Sequence, residues 1–171
     1  MSEFVSVDQQ QYSCKPFKEI GSEWMAITTE SDGKVNTMTA SWGGFGVMWG
    51  KNVAFIVLRP QRYTKELLDQ SDMYSLSFLD HQKYAKIFGY IGSVSGRNED
   101  KMAKSELTVL HEKDTPFIGE AHTVFLCKKL SLHALPPEGL VDSSIDTKWY
   151  PNNDYHTLYI GEVVEILQKN S

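Results

Sequence analysis

Two short polar stretches carry the residues with the most potential for chemistry. The first reads Asn36-Thr37-Met38-Thr39-Ala40-Ser41-Trp42 and is followed by Gly43-Gly44. It has the small and β-branched residues of a strand but few large aliphatic side chains to bury. A strand with bare backbone and small polar groups suits the close approach of a flat, hydrogen-bonding ligand. Taken alone, the stretch also fits an edge strand whose Thr and Ser residues face water.

The second stretch lies between an apolar strand and a helix and reads Arg59-Pro60-Gln61-Arg62-Tyr63-Thr64. The first turn of a helix presents free N–H groups and the positive end of the dipole, so it attracts anions. Arg59 and Arg62 could donate to the same anion, and Thr64 could be the N-cap or donate its hydroxyl to a phosphate oxygen. The alternative is a surface turn whose arginines pair with nearby carboxylates. We expect the two stretches to form two walls of one site.

The surrounding pattern predicts the elements that hold these stretches. Residues 23–29 and 35–42 form a hairpin around Ser31-Asp32-Gly33, and residues 52–58, 73–79, 121–133 and 156–167 form further strands. Helices are predicted over residues 63–70, after the N-cap Asp80, and over residues 98–105. Residues 2–21 are predicted to be irregular because of Pro16. The prediction of at least six strands and three short helices favours a mainly β antiparallel barrel with helices on its outside.

Composition limits the class of protein. The chain has 171 residues, a net charge of −5 and a pI of about 5.5, which indicates one domain over residues 1–171 and no global attraction to nucleic acid or an anionic membrane. Cys14 and Cys127 form no CxxC motif, and the five histidines have no spacing typical of a metal site. The start is not that of a signal peptide, and no apolar run reaches 18 residues. These features predict a cytoplasmic protein without a bound metal.

The sequence resembles the flavin reductase-like proteins, an FMN-binding split-barrel family that includes flavoredoxin. The resemblance depends on the two polar stretches, on Phe88-Gly89 with Ser95-Gly-Arg-Asn-Glu-Asp-Lys101, and on His156-Thr-Leu-Tyr-Ile-Gly-Glu162. These matches occur in the family's order between about Trp24 and Glu162. The resemblance implies an antiparallel split β-barrel and a homodimer with FMN near the interface.

The resemblance also implies a set of FMN contacts. The first stretch would line the isoalloxazine ring, largely through backbone amides, while Arg62, Tyr63 and Thr64 would hold the phosphate. Lys101 and His156 would match basic residues at the flavin, where a cation stabilises the negative charge that appears on reduction. The full cofactor-binding prediction is Asn36, Thr37, Met38, Thr39, Ala40, Ser41, Trp42, Arg59, Arg62, Tyr63, Thr64, Lys101 and His156. No side chain is predicted to be catalytic, because the cofactor carries the chemistry.

Three functions follow from this resemblance. The first is an FMN-dependent oxidoreductase that passes hydride from NAD(P)H through FMN to an acceptor, and the second is a non-catalytic FMN electron carrier reduced by a partner protein. The third keeps the barrel but binds haem or another ligand. Many relatives continue past the last strand with a segment that covers the flavin, whereas this chain has residues 140–154 as an excursion. Trp149 and Tyr150 in this excursion could form a lid or dimer contacts, although packing is the favoured interpretation.

Overall fold

The computed structural model describes residues 3–170, which contain ten strands and five α-helices. The strands are β1 (Phe4–Val7), β2 (Met25–Ser31), β3 (Lys34–Ala40), β4 (Gly43–Met48), β5 (Lys51–Leu58), β6 (Met73–Phe78), β7 (Val109–Glu112), β8 (Thr115–Ile118), β9 (Thr123–Ala134) and β10 (Thr157–Lys169). The helices are α1 (Pro16–Glu19), α2 (Tyr63–Gln70), α3 (His81–Ser93), α4 (Lys101–Ser105) and α5 (Ser143–Trp149). None of the helices in this part of the chain is long and apolar enough to cross a membrane.

Eight of the strands form one antiparallel sheet in the order β3-β2-β6-β9-β10-β5-β4, with β1 also paired to β10. The remaining two strands, β7 and β8, form a separate hairpin. The two ends of the sheet order, β3 and β4, are consecutive in the chain and are separated only by Ser41 and Trp42. The sheet therefore bends so that the first polar stretch lies where its two ends approach each other.

Alternation along the strands divides the core into two layers. Met25 and Ile27 of β2 and Phe125 of β9 lie in one buried cluster, which is the barrel interior. Their neighbours Ala26 and Val124 lie in a second cluster, together with residues of α3 and the β7–β8 hairpin. Because successive strand residues face opposite sides of a sheet, this division is that of a barrel with other elements packed on its outside. The predicted antiparallel barrel with external helices is confirmed.

The first predicted hairpin is also confirmed. β2 and β3 pair from Met25 opposite Ala40 to Ser31 opposite Lys34. Asp32 and Gly33 both have positive φ angles, as a two-residue hairpin turn of the primed type requires.

Several sequence predictions differ from the structure at the ends of elements. Pro16 does not prevent a regular element but is the first residue of α1, where its missing N–H costs no hydrogen bond. The strand predicted over residues 35–42 ends at Ala40, before Trp42, and Gly43 and Gly44 begin the next strand, β4. Residues 3–7 and 140–154 also contain the unpredicted elements β1 and α5.

Candidate functional site

The ends of β3, β5 and α5 and the start of β10 surround an open cavity of about 440 Å³, here called the wide cavity. Its lining is Met38, Thr39, Ala40, Ser41, Trp42, Val57, Arg59, Gln61, Arg62, Trp149 and His156. Eight of these residues belong to the two polar stretches, five to the first and three to the second. The two stretches therefore line one cavity, as expected from the sequence. The volume lies within the range of small-molecule and cofactor pockets.

An aromatic group forms one side of the wide cavity. The Trp42 ring contacts the Trp149 ring edge-on, with centroids 4.9 Å apart, and lies 5.0 Å from the imidazole of His156. Trp42 and Trp149 remain 37% and 40% exposed. Such surfaces suit a planar ligand, since aromatic rings contribute large contact areas with few rotatable bonds. Trp149 therefore lines the cavity as well as packing against a neighbour, while Tyr150, the residue predicted with it, is buried.

His156 is a neutral group in this site. Its Nδ1 lies 2.8 Å from the Tyr150 hydroxyl, and the residue is buried. Burial, with the positive charge of Arg59, lowers the pKa of His156 to about 4, although Asp154 acts in the opposite direction. The imidazole is therefore uncharged near neutral pH, so any contact that His156 makes with a ligand at that pH is that of a neutral ring.

Arg59 holds the excursion in place and is not free to bind an anion. Its guanidinium lies 2.6 Å from the carboxylate of Asp154 and donates to the Trp149 carbonyl at 2.8 Å. It also lies 5.3 Å from the centre of the Tyr150 ring. Gln61 donates to the same Asp154 carboxylate at 2.8 Å. The alternative interpretation, in which an arginine of this turn pairs with a carboxylate, is correct for Arg59.

A smaller cavity of about 180 Å³ lies at the start of α2. It is lined by Met38, Gln61, Arg62, Tyr63, Thr64, Ser93, Val94, Ser95, Gly96 and Lys101. Met38, Gln61 and Arg62 also line the wide cavity, so the two spaces adjoin. The N-cap of α2 is Arg62, with no side-chain cap, and Thr64 is the second helical residue. The N-cap role suggested for Thr64 is therefore wrong, and the first-turn N–H groups lie beside the smaller cavity.

The smaller cavity has two cations and no compensating anion. Arg62 donates to the carbonyls of Gly92 at 2.5 Å and Thr39 at 3.5 Å, and Lys101 donates to the Ile91 carbonyl at 2.9 Å. Across residues 3–170, no salt bridge involves either cation. Burial, and then repulsion from Arg62, lowers the pKa of Lys101 to about 8, and burial lowers that of Arg62. A buried Lys101 and a half-buried Arg62 without a carboxylate partner form a site that favours an anion.

Two predicted contact residues lie behind the cavity walls. The buried amide of Asn36 donates to the Thr64 hydroxyl at 2.8 Å. The Thr37 hydroxyl contacts that of Thr28 at 3.0 Å and donates to the Ile27 carbonyl at 3.2 Å. Neither Asn36 nor Thr37 is among the residues that line the two cavities. The Asn36 side chain thus connects β3 to α2, and the Thr37 side chain connects β3 to β2.

The structure also adds residues that the sequence did not identify. Val57 and Gln61 line the wide cavity, and residues 93–96 line the smaller one. Residues 95–101 were part of the family resemblance, but Ser95-Gly96-Arg97 alone is too short to indicate an anion loop. Arg97 forms a salt bridge with Glu66 at 2.6 Å and lies over the Tyr63 ring. Lys101, predicted together with His156, lies in the other cavity.

Comparisons with known proteins agree with this fold. Among solved structures, the FMN-binding domain of a flavin reductases-like enzyme from Shewanella baltica OS155 matches with a TM-score of 0.71 and 16% identity over 97% of this chain and 77% of that one. A flavoredoxin from Methanosarcina acetivorans has a TM-score of 0.67 and 18% identity over 84% and 67% of the two chains. The flavoredoxin of Desulfovibrio vulgaris (Miyazaki F) has a TM-score of 0.66 and 22% identity over 86% and 69%.

At these identities the solved structures show a shared fold and nothing finer. No curated protein matches the sequence. The family model for the flavin reductase like domain matches residues 17–171, which is most of the chain. This chain therefore belongs to the flavin reductase like domain family.

Proposed function

We propose that this protein binds FMN, with the isoalloxazine ring in the wide cavity and the phosphate in the smaller one. The observation that carries the proposal is the contact between two cavities of different chemistry. One is bounded by backbone and aromatic side chains. The other holds Arg62, Lys101 and the start of α2 without a carboxylate partner. A planar ligand with a phosphate at one end matches both halves, and three of the solved relatives are named as FMN-binding proteins or flavoredoxins.

The proposed contacts refine the sequence prediction. Met38 to Trp42 orient the ring, since this segment lines the wide cavity and offers backbone groups at the end of β3. Arg62, Thr64 and Lys101 bind the phosphate together with the first-turn N–H groups of α2. Lys101 thus acts at the phosphate end. His156 faces the ring as a neutral imidazole whose orientation is fixed by Tyr150.

We further propose that the protein is a flavin reductase-like oxidoreductase. When bound, FMN would supply the redox chemistry between NAD(P)H and an acceptor. The chain binds and orients it, and the aromatic wall formed by Trp42 and Trp149 limits water at the ring.

A second candidate function is that of an FMN electron carrier reduced by a partner protein. The position of α5 favours it, because Trp149 lies against Trp42 at the mouth of the wide cavity and restricts access for a nicotinamide. Arg59 and Gln61 hold this cover through Asp154, so it is anchored at several points.

The proposal includes a single domain over residues 1–171 and a homodimer with FMN near the interface. Val47 and Trp49, at the tip of the β4–β5 hairpin, are exposed large apolar residues, as is Val141 near the cover. Large apolar residues at the surface are candidates for an interface between subunits.

The proposal also includes a cytoplasmic location. Cys14 and Cys127 are both free, which supports a reducing, cytoplasmic setting.

Titration of the purified protein with FMN and with riboflavin tests the binding proposal. FMN fluorescence should be quenched at lower concentration than riboflavin fluorescence, because only FMN carries the anion. Unchanged fluorescence of both ligands would reject flavin binding and favour haem or another ligand in the barrel.

Anaerobic addition of NADH or NADPH to the FMN complex then distinguishes the reductase from the electron carrier. Rapid bleaching supports the reductase, and a persistent oxidised spectrum supports the carrier.

A further inference from the structure

Asn36 and Thr64 form a buried pair behind the smaller cavity. Asn36 is 3% exposed and Thr64 is 1% exposed. The Asn36 amide N–H donates to the Thr64 hydroxyl oxygen at 2.8 Å, so that oxygen accepts a hydrogen bond from inside the protein. A hydroxyl has one proton to donate, and an accepted bond on its oxygen leaves this proton available. Within residues 3–170, no hydrogen bond has Thr64 as its donor.

Thr64 lines the smaller cavity, whereas Asn36 does not. We propose that Asn36 is a positioning residue that fixes Thr64 as a hydrogen-bond donor toward an anion in the smaller cavity. A threonine hydroxyl can rotate and can accept as well as donate. A buried donor on its protein side removes that freedom and directs the proton toward the cavity. This inference rests on the proposed function, because the anion it concerns is the FMN phosphate.

Gly96 belongs to the same arrangement. A Cβ atom at this position would lie 2.1 Å from Asn36 Oδ1 and 2.9 Å from Tyr63 Cδ1. Real Cβ atoms do not approach other atoms so closely, so any larger residue at position 96 must displace the Asn36 amide or the Tyr63 ring. Glycine here therefore lets the 95–97 loop close over Asn36 while Asn36 keeps its bond to Thr64.

The test compares FMN with riboflavin, which lacks the phosphate. Thr64→Val removes the hydroxyl at nearly constant volume and should weaken FMN about tenfold or more while leaving riboflavin affinity unchanged. Asn36→Leu removes the amide donor and should weaken FMN about two- to tenfold relative to riboflavin. If Asn36 acts through Thr64, then Asn36→Leu has no further effect on this ratio in the Thr64→Val background.

Two further variants separate positioning from folding. Thr28→Val removes a buried hydroxyl from the neighbouring pair of Thr28 and Thr37, so it should lower stability without changing the ratio of FMN to riboflavin affinity. Gly96→Ala leaves both partners of the bond unchanged and places a methyl group closest to Asn36 Oδ1, so it should lower the ratio of FMN to riboflavin affinity, and it should add nothing in the Thr64→Val background if the displaced group is Asn36. It also provides the test if Asn36→Leu does not fold.

The ratio of FMN to riboflavin affinity in these variants decides whether Asn36 positions Thr64. A lower ratio for Asn36→Leu and Gly96→Ala, with no added effect when Asn36→Leu is combined with Thr64→Val, supports the inference. Equal weakening of FMN and riboflavin, or independent effects in the double variant, overturns it. A wild-type protein that does not prefer FMN to riboflavin instead rejects the proposed phosphate site. The failure of the inference and the failure of the proposed function are therefore distinguishable.

Discussion

Replacing Lys101 with methionine should raise the stability of the unliganded protein while lowering its affinity for FMN. Lys101 is 4% exposed, and its environment lowers its pKa from 10.5 to about 8. This difference corresponds to roughly 3 kcal/mol by which the folded protein disfavours the charged amine at neutral pH. The variant also loses the hydrogen bond to the Ile91 carbonyl, which costs about 1 kcal/mol. We therefore expect a net gain of about 2 kcal/mol in the free energy of unfolding at pH 7.

The pH dependence of this effect has a defined sign. The pKa of Lys101 is lower in the folded than in the unfolded protein, so the charged amine destabilises the folded state. This destabilisation is complete below pH 8 and disappears as the pH rises toward 10.5. The free energy of unfolding of the wild type should rise across this window relative to that of Lys101→Met. Nearby carboxylates do not remove the penalty, since Glu99 pairs with Lys104 and Asp100 accepts from the Ala103 N–H.

FMN affinity should change in the opposite direction. If the charged amine contacts the phosphate as proposed, its removal at pH 7 should weaken FMN binding by about 1.5–3 kcal/mol, the range for a hydrogen bond to a charged group. In the wild type, FMN affinity should fall above pH 8 by up to about tenfold per pH unit, because binding then requires uptake of a proton. Riboflavin affinity should show neither effect.

Urea unfolding at pH 7 to 10 and fluorescence titrations with both ligands measure these changes. Lys104→Met is the matched control, because Lys104 lies in the same helix but is paired with Glu99 outside the smaller cavity. The reasoning about the buried cation is refuted if Lys101→Met is destabilised at pH 7, or if it weakens FMN and riboflavin equally. Wild-type FMN affinity that stays constant to pH 9.5 would refute the phosphate contact.

Three other predictions concern the remaining walls of the site. Arg62→Ala should weaken FMN by about 1.5–3 kcal/mol more than riboflavin in fluorescence titrations, and equal weakening would reject the anion role of Arg62. Because the pKa of His156 is about 4 when folded, below its unfolded value, its contribution to stability is complete above pH 6.5 and is lost as the pH falls toward 4. Denaturation of His156→Gln should show a shallower loss over that window, and an unchanged slope would contradict a neutral His156. Trp149→Ala should speed anaerobic bleaching by NADH, whereas Trp149→Phe should not; identical rates in both would show that Trp149 does not limit access.

The sequence predicted the parts of the site that depend on local pattern. The β2–β3 hairpin followed from the strand residues on either side of the Ser31-Asp32-Gly33 turn, and α2 followed from the apolar residues Tyr63, Leu67 and Leu68 at helical spacing. Because each polar stretch lies at the end of a strand in one barrel, their meeting at the wide cavity could also be predicted. These inferences need only the periods of strands and helices and the chemistry of turns.

The roles of individual charged residues could not be predicted in the same way. Arg59 was assigned to an anion because the sequence does not show that Asp154, far along the chain, lies beside it. The lowered pKa values of Lys101 and His156 arise from burial by elements distant in sequence. Local spacing cannot report desolvation, which depends on the complete packing around a group.

One turn connects both halves of the proposed site. Arg59 and Gln61 hold the cover through Asp154, while Arg62 and Thr64, a few residues later, line the smaller cavity. A displacement of this turn must therefore affect the cover of the ring and the anion contacts together. Since Arg62 also donates to the carbonyls of Thr39 and Gly92, the turn is tied to β3 and α3 as well as to the excursion. The arginine-rich turn thus joins the cover to both cavities. Its two arginines differ in one respect: Arg59 pairs with the Asp154 carboxylate, whereas Arg62 contacts only carbonyls among the described residues and keeps an uncompensated charge, which is why the proposed phosphate site includes Arg62 and not Arg59.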